Sequence, residues 1–336
     1  MLENLDDQNK RLRLTRRDFL MLSAGLAAGY FIGSNLPVLF QESSKVAIVK
    51  VNQYSLNIKD ILKPYFSQFN LNLKGKQVLL KPNLVDFHGE DKHITTNPAI
   101  LKAAIELFGE LGATIIVAEA SGLRRDVNTI LYYTHIKQLL RGYGVKFVDL
   151  NMDDVEKVKI PSNLTKLDYF YIPKTILNSD YIVSIPKLKT HHWMGVTLSL
   201  KNMFGIMPGI KYGWPKNKLH YAGVERSILD INYTVRPDFA IIDGVYGIEG
   251  NGPIFGDNKY LGAVVMSNDP LAADFIAARL IEVNPEKVNY LKFAAVQLNY
   301  SLAPLGNIKN IKVFGNSINS IKQPFRLLDE FKYLRS

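Results

Sequence analysis

Cysteine is absent from the 336 residues. That absence removes disulfides, thiolate zinc sites, Cys-ligated iron–sulfur clusters and Cys nucleophiles together, so any metal must be held by His, carboxylate or backbone oxygen. Negative charge is also short. Against 41 Lys and Arg stand 31 Asp and Glu, a formal net charge of +10, which admits phosphorylated or carboxylated molecules, nucleic acid or lipid headgroups as partners. Long basic runs are missing, which argues against nucleic acid as a partner. No GxxxxGK[ST] or GxGxxG follows a strand-like run, which argues against a nucleotide fingerprint, and neither a GxSxG elbow nor an HExxH motif is present. What is there, 47% apolar against 21% charged residues, suffices for a large buried core in two domains or one extended α/β domain.

Charge is distributed unevenly at the start of the chain. Residues 1–18 carry Lys10, Arg11, Arg13, Arg16 and Arg17, and no charged residue occurs from Phe19 to Gln41. That layout predicts an export signal. Thr15-Arg16-Arg17-Asp18-Phe19-Leu20-Met21 resembles the twin-arginine consensus, and the Gly- and Ala-rich stretch after it is moderately apolar, as such signals are. No small-x-small cleavage triplet is well placed, and the uncharged run exceeds the ~18 residues of a candidate span, so residues 1–41 read as a signal or a membrane anchor. Arginines on the near side place the rest of the chain outside, in the periplasm or an equivalent extracytoplasmic space. Residues 1–40 hold five Lys or Arg and four Asp or Glu, which leaves +9 on the body.

From residue 45 onward β-branched runs and helical spacings alternate. Strands are expected at 45–51, 77–80, 114–118, 145–150, 168–172, 181–185, 239–242, 262–266 and 311–314. Between them helices are expected at 58–69, from Pro98 to about 111, at 129–141, 224–233, 270–281 and 287–297. A loop rich in Pro, Gly, Lys and His, with a short helix at 197–203, fills 186–222, and a Gly-rich loop fills 244–256. The alternation predicts an α/β fold with a mainly parallel sheet and helices on both faces over 45–315, followed by a C-terminal tail at 316–336. In such sheets ligands bind beyond the carboxyl ends of the strands.

The chemically distinctive residues fall at those ends. Lys81 and Asn83 follow one strand; Lys187, Lys189, Thr190, His191 and His192 follow another; Lys201 and Asn202 lie on the short helix. Lysines make a point-charge anion site and Asn or Thr adds directional hydrogen bonds, though lysines after a strand can equally be a solvated loop. His88, His191, His192 and His220, with Asp243, Glu249 or Asp269, are candidates for a nitrogen/oxygen metal site, without diagnostic spacing. His93 and His135 read as background. Asp243-Gly244 and the run from Glu249 through Asn251 to Gly256 combine carboxylates with glycines, which suits a general base, a cation site or only a tight connection. Asp269 reads as the cap of the helix starting at Pro270, and Asp274 lies on a different helical face. Trp193, Phe204, Tyr212, Trp214 and Tyr221 could wall a ligand or pack the loop onto the body.

Lys81-Pro82-Asn83, Thr95-Thr96-Asn97-Pro98, Pro186-Lys187-Leu188-Lys189-Thr190-His191, Leu200-Lys201-Asn202-Met203-Phe204-Gly205, His220, Asp243-Gly244, Gly250-Asn251-Gly252-Pro253 and Asp269 resemble, in order and spacing, the blocks of the family catalogued as domain of unknown function 362 (DUF362). The resemblance spans roughly 45–300. Many members carry ferredoxin-type iron–sulfur segments, which a chain without cysteine cannot, so a redox role does not carry over.

Two functions follow as expectations. The first is an exported hydrolase or isomerase holding a small anion with Lys81, Asn83, Lys187, Lys189, Thr190, Lys201, Asn202 and Asn251. In it His191, His220, Asp243 and Glu249 supply acid, base or ligands, and a divalent metal on His191, His220 and Asp243 stays open. The second is a non-catalytic receptor for an anionic ligand at the outer face of the membrane, using the same crevice. The partners implied are a small anionic molecule, the twin-arginine translocase during export and, if the segment is uncleaved, the membrane.

Overall fold

Short runs rich in Val and Ile form the middle of a ten-stranded sheet, as buried parallel strands require. The strands are β1 (Ser44–Lys50), β2 (Gln77–Pro82), β3 (Thr114–Glu119), β4 (Lys146–Asp149), β5 (Val155–Lys159), β6 (Tyr169–Pro173), β7 (Tyr181–Ile185), β8 (Lys187–His191), β9 (Gly195–Thr197), β10 (Phe239–Glu249), β11 (Asp257–Ser267) and β12 (Ile311–Gly315). The computed structural model describes residues 43–55, 57–87, 89, 92–122, 126–298 and 302–335, all within one unit, Gln41–Ser336. The signal or anchor at 1–41 and His88 lie outside the described residues.

The sheet order is β12-β1-β11-β10-β7-β2-β3-β4, with β8 on β10 and β9 on β8, while β5 and β6 form a separate pair. β11 runs against both of its neighbours, β9 against β8 and β5 against β6; the other pairings are parallel. Both faces are covered, because alternate residues of one strand enter different cores. Val46, Ile48, Ala240 and Ile242 join the core built with helices Val224–Thr234 and Pro270–Leu280. Ala47, Val49, Phe239 and Ile241 join the one built with helices Ile58–Phe66 and Pro98–Glu110. The architecture is the α/β fold with a mainly parallel sheet that the alternation predicts. Among the described residues no helix is long and apolar enough to cross a membrane.

Several segments differ from expectation. The helix expected at 129–141 is two, Val127–Tyr133 and Ile136–Gly142, separated where His135 takes a left-handed φ of 59°. The loop expected after Ile185 contains β8 and β9. β8 continues beyond β7 along the same neighbour, since β10 pairs first with β7 and then with β8. Finally β10 runs on through the expected Gly-rich loop to Glu249, opposite Asp257 of β11. Gly247 fits there because a Cβ would stand 2.7 Å from the Leu188 carbonyl oxygen, so β10 and β8 approach too closely for any side chain at that position. In 316–336 Phe325, Leu327 and Leu334 are buried in the core.

These pairings align the ends of β3, β2 and β7 side by side and extend the last into β8. Period-two geometry then puts Lys187, Lys189 and His191 on one face of β8 and Leu188, which enters the core, on the other.

Candidate functional site

Two ion pairs fix the floor of the site. Lys81, at the end of β2, is fully buried and donates to Glu119 Oε2 at 2.8 Å, to the Pro82 carbonyl at 2.8 Å and to Asn202 Oδ1 at 3.1 Å. Lys187 donates to Asp243 Oδ2 and the Tyr54 hydroxyl, both at 2.7 Å, and to the Tyr246 carbonyl at 3.1 Å. Each ammonium thus uses all three protons. Asp243 is equally committed, accepting from Tyr54 OH at 2.7 Å and the Asn97 N–H at 2.9 Å besides Lys187. His93 stacks on Tyr246 beside this pair, with ring centroids 4.6 Å apart.

Three further lysines converge without such partners. Lys189 is fully buried and donates to Asn83 Oδ1 at 2.7 Å. Lys216, also buried, donates to the Ala120 carbonyl at 2.7 Å. Lys201 is half-buried and lies 4.5 Å from the centroid of the Phe204 ring. Among the described residues none of the three has a carboxylate within ion-pairing distance. Asn83 and Asn202 tie the groups together: Asn83 Nδ2 donates to Asn202 Oδ1 at 3.3 Å, and Asn202 Nδ2 to the Lys81 carbonyl and Ser184 Oγ, both at 3.1 Å.

Burial and mutual repulsion lower these lysines. Desolvation holds Lys216 at about 7, opposed by Glu119 and reinforced by Lys81 and Lys201. Lys201 is lowered to about 8 by desolvation and then by Lys81. Lys189 is pushed well below the ordinary lysine range by desolvation and by the charges of Lys187, Lys201 and Lys81. The set is complementary to an anion, which would supply the negative charge the protein withholds.

Two histidines stand at its edge with opposite hydrogen-bonding sense. His191 Nδ1 accepts the Trp193 N–H at 3.0 Å, so the neutral ring carries its proton on Nε2. Desolvation and the charges of Lys201, His192, Lys189 and His220 keep that ring well below the usual histidine range. His220 Nδ1 lies 3.0 Å from the Lys216 carbonyl, which can only accept, so this ring carries its proton on Nδ1 and leaves Nε2 as a base. Desolvation lowers it too, the hydrogen bond to Lys216 opposing. Trp193 lies between them, 6.5 Å from the His191 ring and 5.9 Å from His220.

The structure therefore brings together Lys81, Asn83, Lys189, His191, Lys201, Asn202 and His220 from the residues the sequence singles out. Lys187 and Asp243 close on each other one register position below. Thr190 points its hydroxyl to the Gly250 carbonyl at 2.8 Å. Glu249 accepts the Arg326 backbone N–H at 2.9 Å, and Asn251 is exposed on the turn beyond it. His192 Nδ1 contacts the Gly252 carbonyl at 2.7 Å. Asp269 caps its helix, accepting from Leu271 at 3.0 Å and Ala272 at 3.2 Å. Among the described residues no group of three or more His, Asp or Glu side chains converges as a metal site. Of the aromatics, Phe204 and Tyr212 are buried, while Trp193 is 57% and Tyr221 90% exposed.

Three participants are not singled out as site residues by the sequence. Lys216 looks like its exposed neighbours Lys211 and Lys218. Asp274, fully buried, accepts the N–H groups of Ser199 at 2.7 Å and Leu200 at 2.9 Å, and so anchors the short helix Ser199–Asn202 that carries Lys201. Gly205 is required because a Cβ there would stand 2.2 Å from Glu119 Oε1 and 2.6 Å from Lys81 Nζ.

A family model described as "Domain of unknown function (DUF362)" matches residues 78–279. The "Thylakoid-associated protein sll1697" of Synechocystis sp. (strain ATCC 27184 / PCC 6803 / Kazusa) is 26% identical over 239 residues, covering 69% of this chain and 71% of that protein. Among solved structures, the lactate racemase apoprotein from Thermoanaerobacterium thermosaccharolyticum superposes with a TM-score of 0.43 at 11% identity. That superposition covers 79% of this chain and 60% of the other and carries no argument about function.

The charge crowding has a measurable signature. With Lys216 at about 7 in the folded state and near 10.4 unfolded, its charged form is penalised fully below pH 7, and the penalty fades as pH rises towards 10. Lys216→Met is accordingly expected to be more stable than the parent by about 1–3 kcal/mol at pH 6 in urea unfolding, with the difference shrinking by pH 9.5. A variant less stable at pH 6 and unchanged by pH contradicts this.

Proposed function

Because the chain belongs to the DUF362 family, whose description states no reaction, we propose from the chemistry of the strand-end cluster that it is an enzyme of the isomerase or hydrolase class acting on a small anionic substrate. The observation that carries this reading is the convergence of three lysines that lack carboxylate partners among the described residues with two histidines of opposite hydrogen-bonding sense. Lys189, Lys201 and Lys216 hold the anion. His220 Nε2 removes a proton and His191 Nε2–H delivers one, a division of labour that needs both rings neutral, as their lowered affinities for protons favour. Glu119 and Lys81 are positioning residues that keep Asn202 and Asn83 in place. Asp243, the carboxylate considered for a metal or a base, spends its oxygens on Lys187, Tyr54 and Asn97 in this reading.

The second reading is a receptor that binds the same anion without turning it over; the exposure of Trp193 at 57% and Tyr221 at 90% beside the cluster favours it, since ligand-binding faces often carry such rings. Export belongs to both readings. It rests on Arg16-Arg17 before an uncharged stretch, and the cyanobacterial relative is itself named for association with thylakoids.

Enzyme and receptor separate in heavy water. The full chain is incubated with a panel of 2-hydroxy acids and phosphate esters while deuterium incorporation is followed by NMR and phosphate release by colorimetry. An enzyme gives one of the two signals, lowered by about 100-fold or more in His220→Gln and His191→Gln. Binding of panel members without either signal leaves the receptor reading standing and removes the catalytic one. For export, replacing Arg16 and Arg17 by Lys is expected to retain the chain inside the cell; unchanged fractionation contradicts the twin-arginine route.

A further inference from the structure

We propose that the ligand of the cluster carries two or three negative charges, as a di- or tricarboxylate or a phosphate ester does; this rests on reading the cluster as an anion site. Of five neighbouring lysines, Lys81 and Lys187 are neutralised by Glu119 and Asp243 at 2.8 and 2.7 Å. Lys189, Lys201 and Lys216 are not. The carboxylates that act on Lys189 and Lys216 from further away are Glu119, already held by Lys81, and Asp149, which is half-buried and accepts the Asn151 N–H at 2.9 Å. His191, His192 and His220, the other titratable groups facing the lysines, add no negative charge.

Hydrogen bonding gives the same count by an independent route. The three ammonium groups carry nine protons when charged, and among the described residues protein oxygens accept two of them, Asn83 Oδ1 from Lys189 and the Ala120 carbonyl from Lys216. Among the described residues Lys201 has the Phe204 ring and no oxygen acceptor. Of the seven protons left over, the two oxygens of a single carboxylate can accept about four, and its one negative charge offsets one ammonium group of three, so the others would remain charged without a counterion in a desolvated setting, which is costly. A phosphate ester or a tricarboxylate offers three or more anionic oxygens.

Calorimetry on the full chain at pH 6.5 and matched ionic strength uses acetate, citrate and pyrophosphate as probes. Citrate or pyrophosphate is expected to bind at least about 30-fold more tightly than acetate. Which of the two is preferred distinguishes a polycarboxylate from a phosphate ligand. Lys201→Met is expected to cost the preferred polyanion about tenfold and acetate less than about threefold, with Lys201→Arg restoring most of the loss. Acetate binding as tightly as both polyanions overturns the inference and leaves the anion site intact. No heat and no thermal protection from any of the three overturns the anion site itself. The wild-type series decides alone if the Met variant fails to fold.

Discussion

An ammonium group taken out of water must be given a counter-charge or a full set of acceptors, and most of this protein's distinctive chemistry follows from meeting that demand twice and leaving it unmet three times. Lys81 and Lys187 each have one carboxylate and two further acceptors. Such pairs contribute little net stability compared with apolar packing, yet breaking one is expensive, so they fix geometry more than they add free energy. The carboxylates come from β3 and β10, the lysines from the end of β2 and the start of β8. The ends of the central strands are thereby locked to one another. Lys189, Lys201 and Lys216 stand in that locked frame with no ion-pairing carboxylate among the described residues.

The frame also explains why the site residues come from distant parts of the chain. A parallel sheet brings the carboxyl ends of β3, β2 and β7 together although β2 ends at Pro82 and β3 at Glu119, far before β7 ends at Ile185. Asp274, on another helix, fixes the turn that carries Lys201. Membership of the DUF362 family names no reaction, and the reaction proposed here is argued from the lysines and histidines alone.

The fold was largely legible because period-two runs such as 181–185 and the capped helix from Pro98 carry their signals locally. Its misses had non-local causes. β8 was unreadable as a strand because Lys-Leu-Lys-Thr-His has one apolar residue; the neighbouring β10 and the buried ion pair at Lys187 give it its extended form. The expected strand at 239–242 stops short of Gly244 because Gly usually interrupts strands, whereas here Gly247 admits the close approach of β8. Within the site, Lys189 and His191 stand out as unusual residue types after a strand, and His220 as a histidine within the long loop. Lys216 was not, since among Lys211, Lys216 and Lys218 only tertiary packing selects the buried one. Nor could spacing show that Asp243 faces Lys187 and not a histidine, because that depends on β-sheet register.

The central claim, that these lysines are kept short of counter-charge for an anion to supply, is tested most directly by NMR titration of the lysine side-chain ε carbons with and without citrate. Without it Lys216 and Lys201 should titrate near 7 and 8, and with it both should move up towards the ordinary lysine value of about 10.4. Lysines that all titrate near that ordinary value in the free protein, and do not move when citrate is added, would contradict the account.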